Sequence, residues 1–287
     1  LEATLSLARR GYEVTLADDH KELGGRINKE SILPGMSAYR RVTDYRTSQI
    51  QQLPNVNVFL ENKLQSEDVL GLGFDHVVTA TGSTWELSTL DSHFVPQLIE
   101  KQQGVFTPDD VLKGCELQSP VVVYDFDYYY MGGLIAEYIS DLGHEVTVIT
   151  PFENVSPWSF MSNEVNEIKA RMYEKNIKTI TENRISEFKN QALTLTHKVT
   201  KEIIELDRSS LVIVGMRVPI NSLFKELSSN QSMLDDAGIK TLKNIGDSNS
   251  PGAVVHAVYA GHMYANTFDS DVDDDPYDLR FEYPVIQ

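Results

Sequence analysis

The chain has 287 residues, 41% of them hydrophobic, a formal net charge of −17 and a single cysteine, Cys115. Such a charge opposes nucleic acid and anionic membranes as partners, because both need a basic surface. A lone thiol excludes a disulfide framework within the chain and any zinc or iron–sulfur site made from its thiolates alone, no apolar run approaches the ~20 residues of a membrane span, and no signal segment opens the chain, so a cytoplasmic compartment is the default expectation.

Leu1, Leu5 and Ala8 share one helical face, and Gly11 closes that helix. Tyr12–Ala17 (YEVTLA) is an apolar, β-branched run that predicts a strand ending in Asp18 and Asp19. A helix of this kind normally follows a strand and a glycine-rich phosphate turn. Neither precedes it here, so the sequence predicts a fragment whose first strand and GxGxxG sit before Leu1. HKELGGRINKESILPGMSAY is a loop, and Ser37 is expected to cap a helix reaching about Leu53. NVNVFLE alternates as a short strand, and GFDHVVTATGS predicts a buried strand ending at Gly82.

A second unit starts near Pro120. PVVVYDF, MGGLIAEYISDLG and HEVTVITP read as strand, helix and strand. SNEVNEIKARMYEKN is helical, while RISEFK, ALTLTHKV and KEIIELD alternate at period two and predict a small antiparallel meander. SSLVIVG is a buried strand. KNIGDSNSPGAVVHAVYAGHMYANTF is a short strand, a Gly-Asp turn and a helix led in by Pro251-Gly252. The tail DSDVDDDPYDLRFEYPVIQ is acidic, with a mobile first half expected. GYEVTLADD at 11–19 echoes GHEVTVITP at 143–151. The fold class expected is therefore α/β: two Rossmann-like three-layer domains, the second inserted in the first. Their boundaries are 1–106 plus 216–287 for an FAD/ADP-binding type, and 107–215 for an NAD(P)-binding-like type without its nucleotide.

A carboxylate at the end of a second strand accepts hydrogen bonds from an adenosine ribose, which singles out Asp18, with Asp19 beside it. The bland alternative is that acidic residues simply end strands. Gly24-Gly25 lets backbone approach a pyrophosphate and Arg26 can pair with its charge, or this is a glycine turn beside a solvated arginine. Thr81-Gly82 ends a strand where backbone can pass close to a ligand. Gly246-Asp247 precedes the last helix. In the second unit, Asp125, Asp127 and Tyr130 take the GxGxxG positions, where charge and bulk both oppose a pyrophosphate. Tyr128, Tyr129 and Tyr130 either fill that vacated pocket or form a packing or electron-transfer surface. His256, Tyr259 and His262 share a rough helical face with no metal-ligand spacing. No CxxC, GxSxG or Ser-His-Asp pattern is present.

In the order LGGR, ATG, YYYMGG and IGD, with RRGYEVTLADD, FTPDDVLKG and the stretch to AGHMYA, the chain resembles the C-terminal half of the trimethylamine, dimethylamine and histamine dehydrogenase family. The resemblance covers nearly the whole chain and is weakest at 86–104, 181–210 and the tail. It implies a parent protein with an FMN-bearing barrel and a [4Fe–4S] segment, ADP or FAD in this region, and a late Gly-Asp that meets the flavin side of FAD. It also implies oxidation of a small amine, electrons passed to electron-transfer flavoprotein, and a homodimer. FMN and the cluster belong to the missing N-terminal part, so the fragment alone is expected to be inactive. Two alternatives stand: an FAD/NAD(P)H-dependent module of the dienoyl-CoA reductase type, and a non-catalytic ADP-binding and docking module. The cofactor-binding candidates are Asp18, Asp19, Gly24, Gly25, Arg26, Thr81, Gly82, Gly246 and Asp247.

Overall fold

The computed structural model describes residues 1–189 and 192–270. The first segment runs α1 (Glu2–Arg9), β1 (Val14–Ala17), α2 (Arg26–Glu30), α3 (Arg40–Ile50), β2 (Val56–Phe59), α4 (Ser66–Gly71) and β3 (His76–Thr79). Short strands β4 (Ser83–Trp85), β5 (Ser88–Leu90) and β6 (Pro96–Leu98) lead into β7 (Val105–Phe106) and α5 (Pro108–Leu112). Thr107 starts α5 as a capping box: its Oγ1 accepts from Asp110 N–H at 3.3 Å, and the Asp110 carboxylate accepts from Thr107 N–H at 2.9 Å. Pro108 follows at the position where a missing N–H costs nothing.

The middle holds β8 (Val121–Asp125), α6 (Met131–Asp141), β9 (Val146–Ile149), α7 (Val165–Glu174), β10 (Lys178–Ile180), β11 (Asn183–Lys189), β12 (Ala192–His197), β13 (Ile203–Asp207) and β14 (Ser210–Val214). The chain then returns through β15 (Arg217–Pro219), α8 (Ser222–Ser228), α9 (Gln231–Asp236), β16 (Thr241–Asn244) and α10 (Val254–Asn266).

Five strands form one parallel sheet in the order β10-β9-β8-β14-β7. The central strands VVVYD and SLVIV are buried throughout, as strands covered on both faces must be. Alternation splits their side chains between two cores. Val121, Val123, Val212 and Val214 pack with Leu134, Ile135 and Ile139 of α6 and Ile168 and Met172 of α7. Val122, Tyr124, Leu211 and Ile213 pack instead with Ile185, Leu193 and Leu195 of the antiparallel sheet β11-β12-β13.

The predicted pair of three-layer Rossmann-like domains is therefore corrected. The second face of the parallel sheet carries an antiparallel meander where a three-layer domain has helices, so the layers are helix, parallel sheet and antiparallel sheet. The segments outside it build no second sheet of that kind among the described residues. They form separate parallel pairs, β1 with β2 and β3 with β16, and two antiparallel pairs, β5 with β6 and β4 with β15, in the latter of which Trp85 faces Arg217. Instead of a continuous sheet, helix packing ties the ends of the chain together. α1 lies on α10, where a Cβ at Gly261 would come 3.0 Å from the Ala3 nitrogen.

Smaller expectations also shift. Ser37 begins a 3₁₀ turn (Ser37–Tyr39) and makes no cap bond, and the α-helix starts at Arg40. β3, expected to be buried, is so only at Thr79. The three strands of the meander and the helix–strand alternation around β8 fall where the sequence places them. Beyond Asp269 and Ser270 the acidic tail lies outside the described residues.

Candidate functional site

The carboxyl ends of parallel strands are where open α/β structures meet ligands. β1 ends at Ala17, and Asp18 follows with its N–H bonded to the Phe59 carbonyl at 2.9 Å, which fixes its backbone beside β2. Asp18 Oδ1 accepts the His20 N–H at 2.9 Å and lies 2.9 Å from His20 Nδ1, which also sits 2.7 Å from Asp19 Oδ1. These bonds leave Asp18 Oδ2 as an acceptor at the strand end. Asp18, Asp19 and His20 are within 4.8 Å of one another, but all three are solvent-accessible and only acidic clustering speaks for a cation there.

The glycine pair does two different things. Gly24 has φ +122°, and a Cβ there would fall 2.4 Å from Asn28 Oδ1, so it serves packing. Gly25 has φ +54° with nothing within 4 Å of its missing Cβ, so its left-handed backbone rather than packing calls for glycine. Gly82, at φ +82°, is glycine for the same reason. Arg26 is not a free cation. Its guanidinium donates to Glu30 Oε1 at 3.0 Å and to the Ser83 carbonyl at 2.8 Å, and only 17% of its side chain is exposed. Burial raises the Glu30 pKa, with the Arg26 charge opposing it.

At the far end, Asp247 is engaged by the protein on both oxygens. Its Oδ1 accepts the Gly252 N–H at 3.0 Å, and its Oδ2 accepts from Ser83 Oγ at 3.0 Å and Arg217 Nη1 at 2.9 Å. Arg217 Nη2 also donates to the Gly252 carbonyl at 2.7 Å. Trp85, buried, is flanked by both guanidiniums, with Arg26 Cζ 5.8 Å and Arg217 Cζ 5.5 Å from its ring. Asp109 of α5 accepts the Trp85 N–H at 3.0 Å and lies 3.8 Å from Arg26. Thr81 Oγ1 donates to the Ile220 carbonyl. Ser83, Trp85, Asp109 and Arg217 were not legible as site residues, because nothing in sequence spacing signals a contact between segments so far apart in the chain, whereas Glu30 stands one helical turn after Arg26, a spacing that could have found it.

The corresponding turn of the parallel sheet is closed. Asp125 is wholly buried at the end of β8, and its carboxyl occupies the space of a Cβ at Gly132, 2.0 Å from Cγ. Oδ1 accepts the Asp127 N–H at 3.2 Å, while Oδ2 has no partner. Burial, with Asp127 adding repulsion, pushes the Asp125 pKa up to about 8. Burial lifts Asp127 to about 6, against the pull of Arg217. Phe126 follows β8 and packs on the meander side, its ring 2.5 Å from where a Gly215 Cβ would be. Gly132 and Gly133 lie in α6, as expected. Tyr130 packs half-buried on the core, whereas Tyr128 is exposed and leans on Phe152 at 5.0 Å and Trp158 at 6.4 Å. The internal repeat sharpens the contrast. Where the first copy has Asp18-Asp19, the second has Thr150-Pro151, and buried Thr150 spends its Oγ1 on the Phe152 N–H at 3.3 Å. His256 accepts the Ala253 N–H at 3.0 Å and His262 lies 3.3 Å from Glu2, so both have structural partners.

Residues 106–203 match the family described as the OYE-like second alpha/beta domain, which is the finding that replaces the paired Rossmann-like expectation. The structure superposes on histamine dehydrogenase from Rhizobium sp. 4-9 with a TM-score of 0.91 and 37% identity, over 96% of this chain and 43% of that one. It superposes on 6-hydroxypseudooxynicotine amine oxidase from Pseudomonas geniculata N1 with a TM-score of 0.87 and 30% identity, over 94% and 40%. In sequence it is 26% identical to dimethylamine dehydrogenase of Hyphomicrobium sp. (strain x), over 92% of this chain and 39% of that protein. The chain is thus homologous to part of these oxidoreductases and spans less than half their length. No helix among the described residues is long and apolar enough to cross a membrane.

Proposed function

We propose that this chain is the adenine-nucleotide-holding part of an oxidoreductase of the amine dehydrogenase kind, with the nucleotide, ADP or FAD, held by residues 1–106 and 216–287. The observation that supports this most is the 37% identity to histamine dehydrogenase across 96% of the chain, coinciding with an available carboxylate at the end of β1. The residues fit the adenosine and phosphate half of such a ligand. Asp18 Oδ2 accepts from ribose hydroxyls, and the open backbone at Gly25 and Gly82 gives a phosphate close approach. Asp19 stands beside Asp18 with half its side chain exposed, whereas Arg26, Thr81 and Asp247 are engaged by protein partners.

Residues 107–215 hold no nucleotide in this reading, since Asp125, Phe126 and Tyr130 fill the turn and Thr150 replaces the ribose carboxylate. That weighs against the NAD(P)H-dependent alternative. The resemblance supplies the remainder of the proposal: FMN and a [4Fe–4S] cluster in a portion of the parent protein preceding this one, oxidation of a small amine there, electron-transfer flavoprotein as acceptor, a homodimer and a cytoplasmic setting. This chain, with Cys115 alone, contributes no cluster of its own.

Denaturing the intact protein and identifying released nucleotides by chromatography tests the reading. ADP or FAD at about one per chain supports it, and no adenine nucleotide sinks it. Asp18→Ala should weaken nucleotide retention about 10-fold to 100-fold, the range expected for losing charge-assisted bonds to ribose.

A further inference from the structure

We propose that Tyr128, Phe152 and Trp158 form a binding site for a bulky, weakly hydrated organic cation of the quaternary-ammonium kind, built on the turn after β8. The inference is independent of the nucleotide reading. Of the three tyrosines in that turn, Tyr130 packs half-buried on the core, but Tyr128 turns outward with φ +74° and is 43% exposed. So bulky a side chain takes a left-handed backbone only where its surroundings hold it there. The Tyr128 carbonyl accepts the Trp158 N–H at 3.1 Å, which ties it to the 3₁₀ turn Pro157–Phe160. That turn is fixed from within. Ser159 donates to the Ser156 carbonyl through its N–H at 2.9 Å and its Oγ at 2.6 Å, and the Glu164 N–H donates to the Ser159 carbonyl at 2.9 Å.

The rings held this way are close together and open. Tyr128 meets Phe152 at 5.0 Å and 81°, and Trp158 at 6.4 Å and 54°, while Tyr129 meets Trp158 at 5.8 Å. Trp158 is 48% exposed, more than the rim of an indole accounts for, so a face of the ring meets solvent. Elsewhere the chain covers its aromatic faces with its own cations: Arg26 and Arg217 lie over Trp85 at 5.8 and 5.5 Å, and Arg10 over Tyr12 at 5.5 Å. Among the described residues no Lys or Arg stands over Tyr128, Tyr129, Phe152 or Trp158. The sequence around them has none to offer. Between Lys113 and Lys169 it holds no Lys or Arg and nine Asp or Glu. Exposed Glu153 directly follows Phe152, and exposed Glu164 is bonded back to the 3₁₀ turn. Among the described residues neither forms an ion pair. Open aromatic faces attract a cation through the ring quadrupole, and unpaired carboxylates beside them add to the attraction. A divalent metal does not suit the site, because the rings supply no oxygen ligands and such an ion keeps its water. A second copy of the chain would bring the same acids, and a formal charge of −17, against themselves. Phe160 and Met161, 71% and 69% exposed, continue the apolar surface along the turn, which suits alkyl groups on the cation.

The test is fluorine NMR of the intact protein labelled with 5-fluorotryptophan, in which the resonance missing from Trp158→Phe belongs to Trp158. Choline chloride and tetramethylammonium chloride are the probes, at constant ionic strength made up with sodium chloride. The neutral control is 3,3-dimethyl-1-butanol, which has the shape of choline without its charge. The Trp158 resonance should shift saturably with both cations, in the millimolar range expected of a half-open site, and the neutral alcohol should bind at least about tenfold more weakly. Tyr128→Leu, which keeps apolar bulk but removes the ring, should weaken choline about tenfold, and Tyr128→Phe should restore it. Absence of a saturable shift overturns the inference. So does an equal response to the neutral alcohol, which would make the rings a merely apolar surface. A choline response that persists unchanged in Tyr128→Leu overturns it as well. If Tyr128→Leu does not fold, Phe152→Leu provides the same reading.

Discussion

Asp125 shows how a residue's surroundings can reverse its usual preference. A carboxyl buried at the end of β8, with one oxygen unpartnered, is most comfortable protonated. Its folded-state pKa of about 8 lies above the ordinary value of 3.8, so the stability tied to its neutral form is complete below about pH 4 and is lost as pH rises towards 8. Asp125→Asn keeps the shape and removes the titration. The variant should match wild type in thermal unfolding at pH 4 and exceed it by roughly 2 kcal/mol at pH 8. Equal stability across that range would show that Asp125 is ionised and solvated in the folded protein. Asp127, lifted to about 6 with Arg217 opposing, repels an ionised Asp125, so the substitution also relieves that repulsion and adds to the difference at pH 8. Asp18 stands in more open surroundings. Its carboxylate stays at a half-open strand end, where an acceptor is useful, and the sequence was sufficient to pick it out because strand end and charge coincide.

At the scale of elements, the start of α6 depends on what β8 puts beneath it. Gly132 lies in an ordinary helical turn, so alanine suits its backbone, yet a Cβ there would sit 2.0 Å from Asp125 Cγ. Gly132→Ala should cost about 2–3 kcal/mol by chemical denaturation. In an Asp125→Ala background the same change should cost almost nothing, or stabilise by about 0.5–1 kcal/mol through helix propensity. A cost that survives the second substitution would assign the glycine to something other than the carboxyl. The glycines inside α6 were correctly placed in a helix from their pattern. Why Gly132 must be glycine was not readable, because its reason is a side chain on another element. Arg26 fared similarly. Its sequence neighbourhood suggests a phosphate partner, but Glu30 one turn later and the Ser83 carbonyl from a distant strand engage it first.

For the whole molecule, the decisive contact is between the parallel sheet and the meander. Leu193 and Leu195 are fully buried against Val122, Tyr124, Leu211 and Ile213. Leu193→Ala should lower global stability by about 3 kcal/mol, with melting of the meander and of the parallel sheet shifting together in hydrogen exchange. Separate melting would show the meander to be an appendage. From sequence alone came the main elements, though not α4, α8, α9 or the short strands β4, β5, β6 and β15, since periodicity reports how each longer segment meets a core: period two for the meander, unbroken apolar runs for β8 and β14, amphipathic spacing for α1. The strand-end carboxylate, the bulky acidic turn after β8 and the internal repeat were legible for the same reason, being local. Periodicity says that a face is buried but not what buries it. Only the tertiary structure decided that an antiparallel sheet, not helices, covers the second face, that the outer strands pair off in twos, and that Arg217, Trp85, Ser83 and Asp247 meet, because those outcomes are set by side chains on different elements competing for one space.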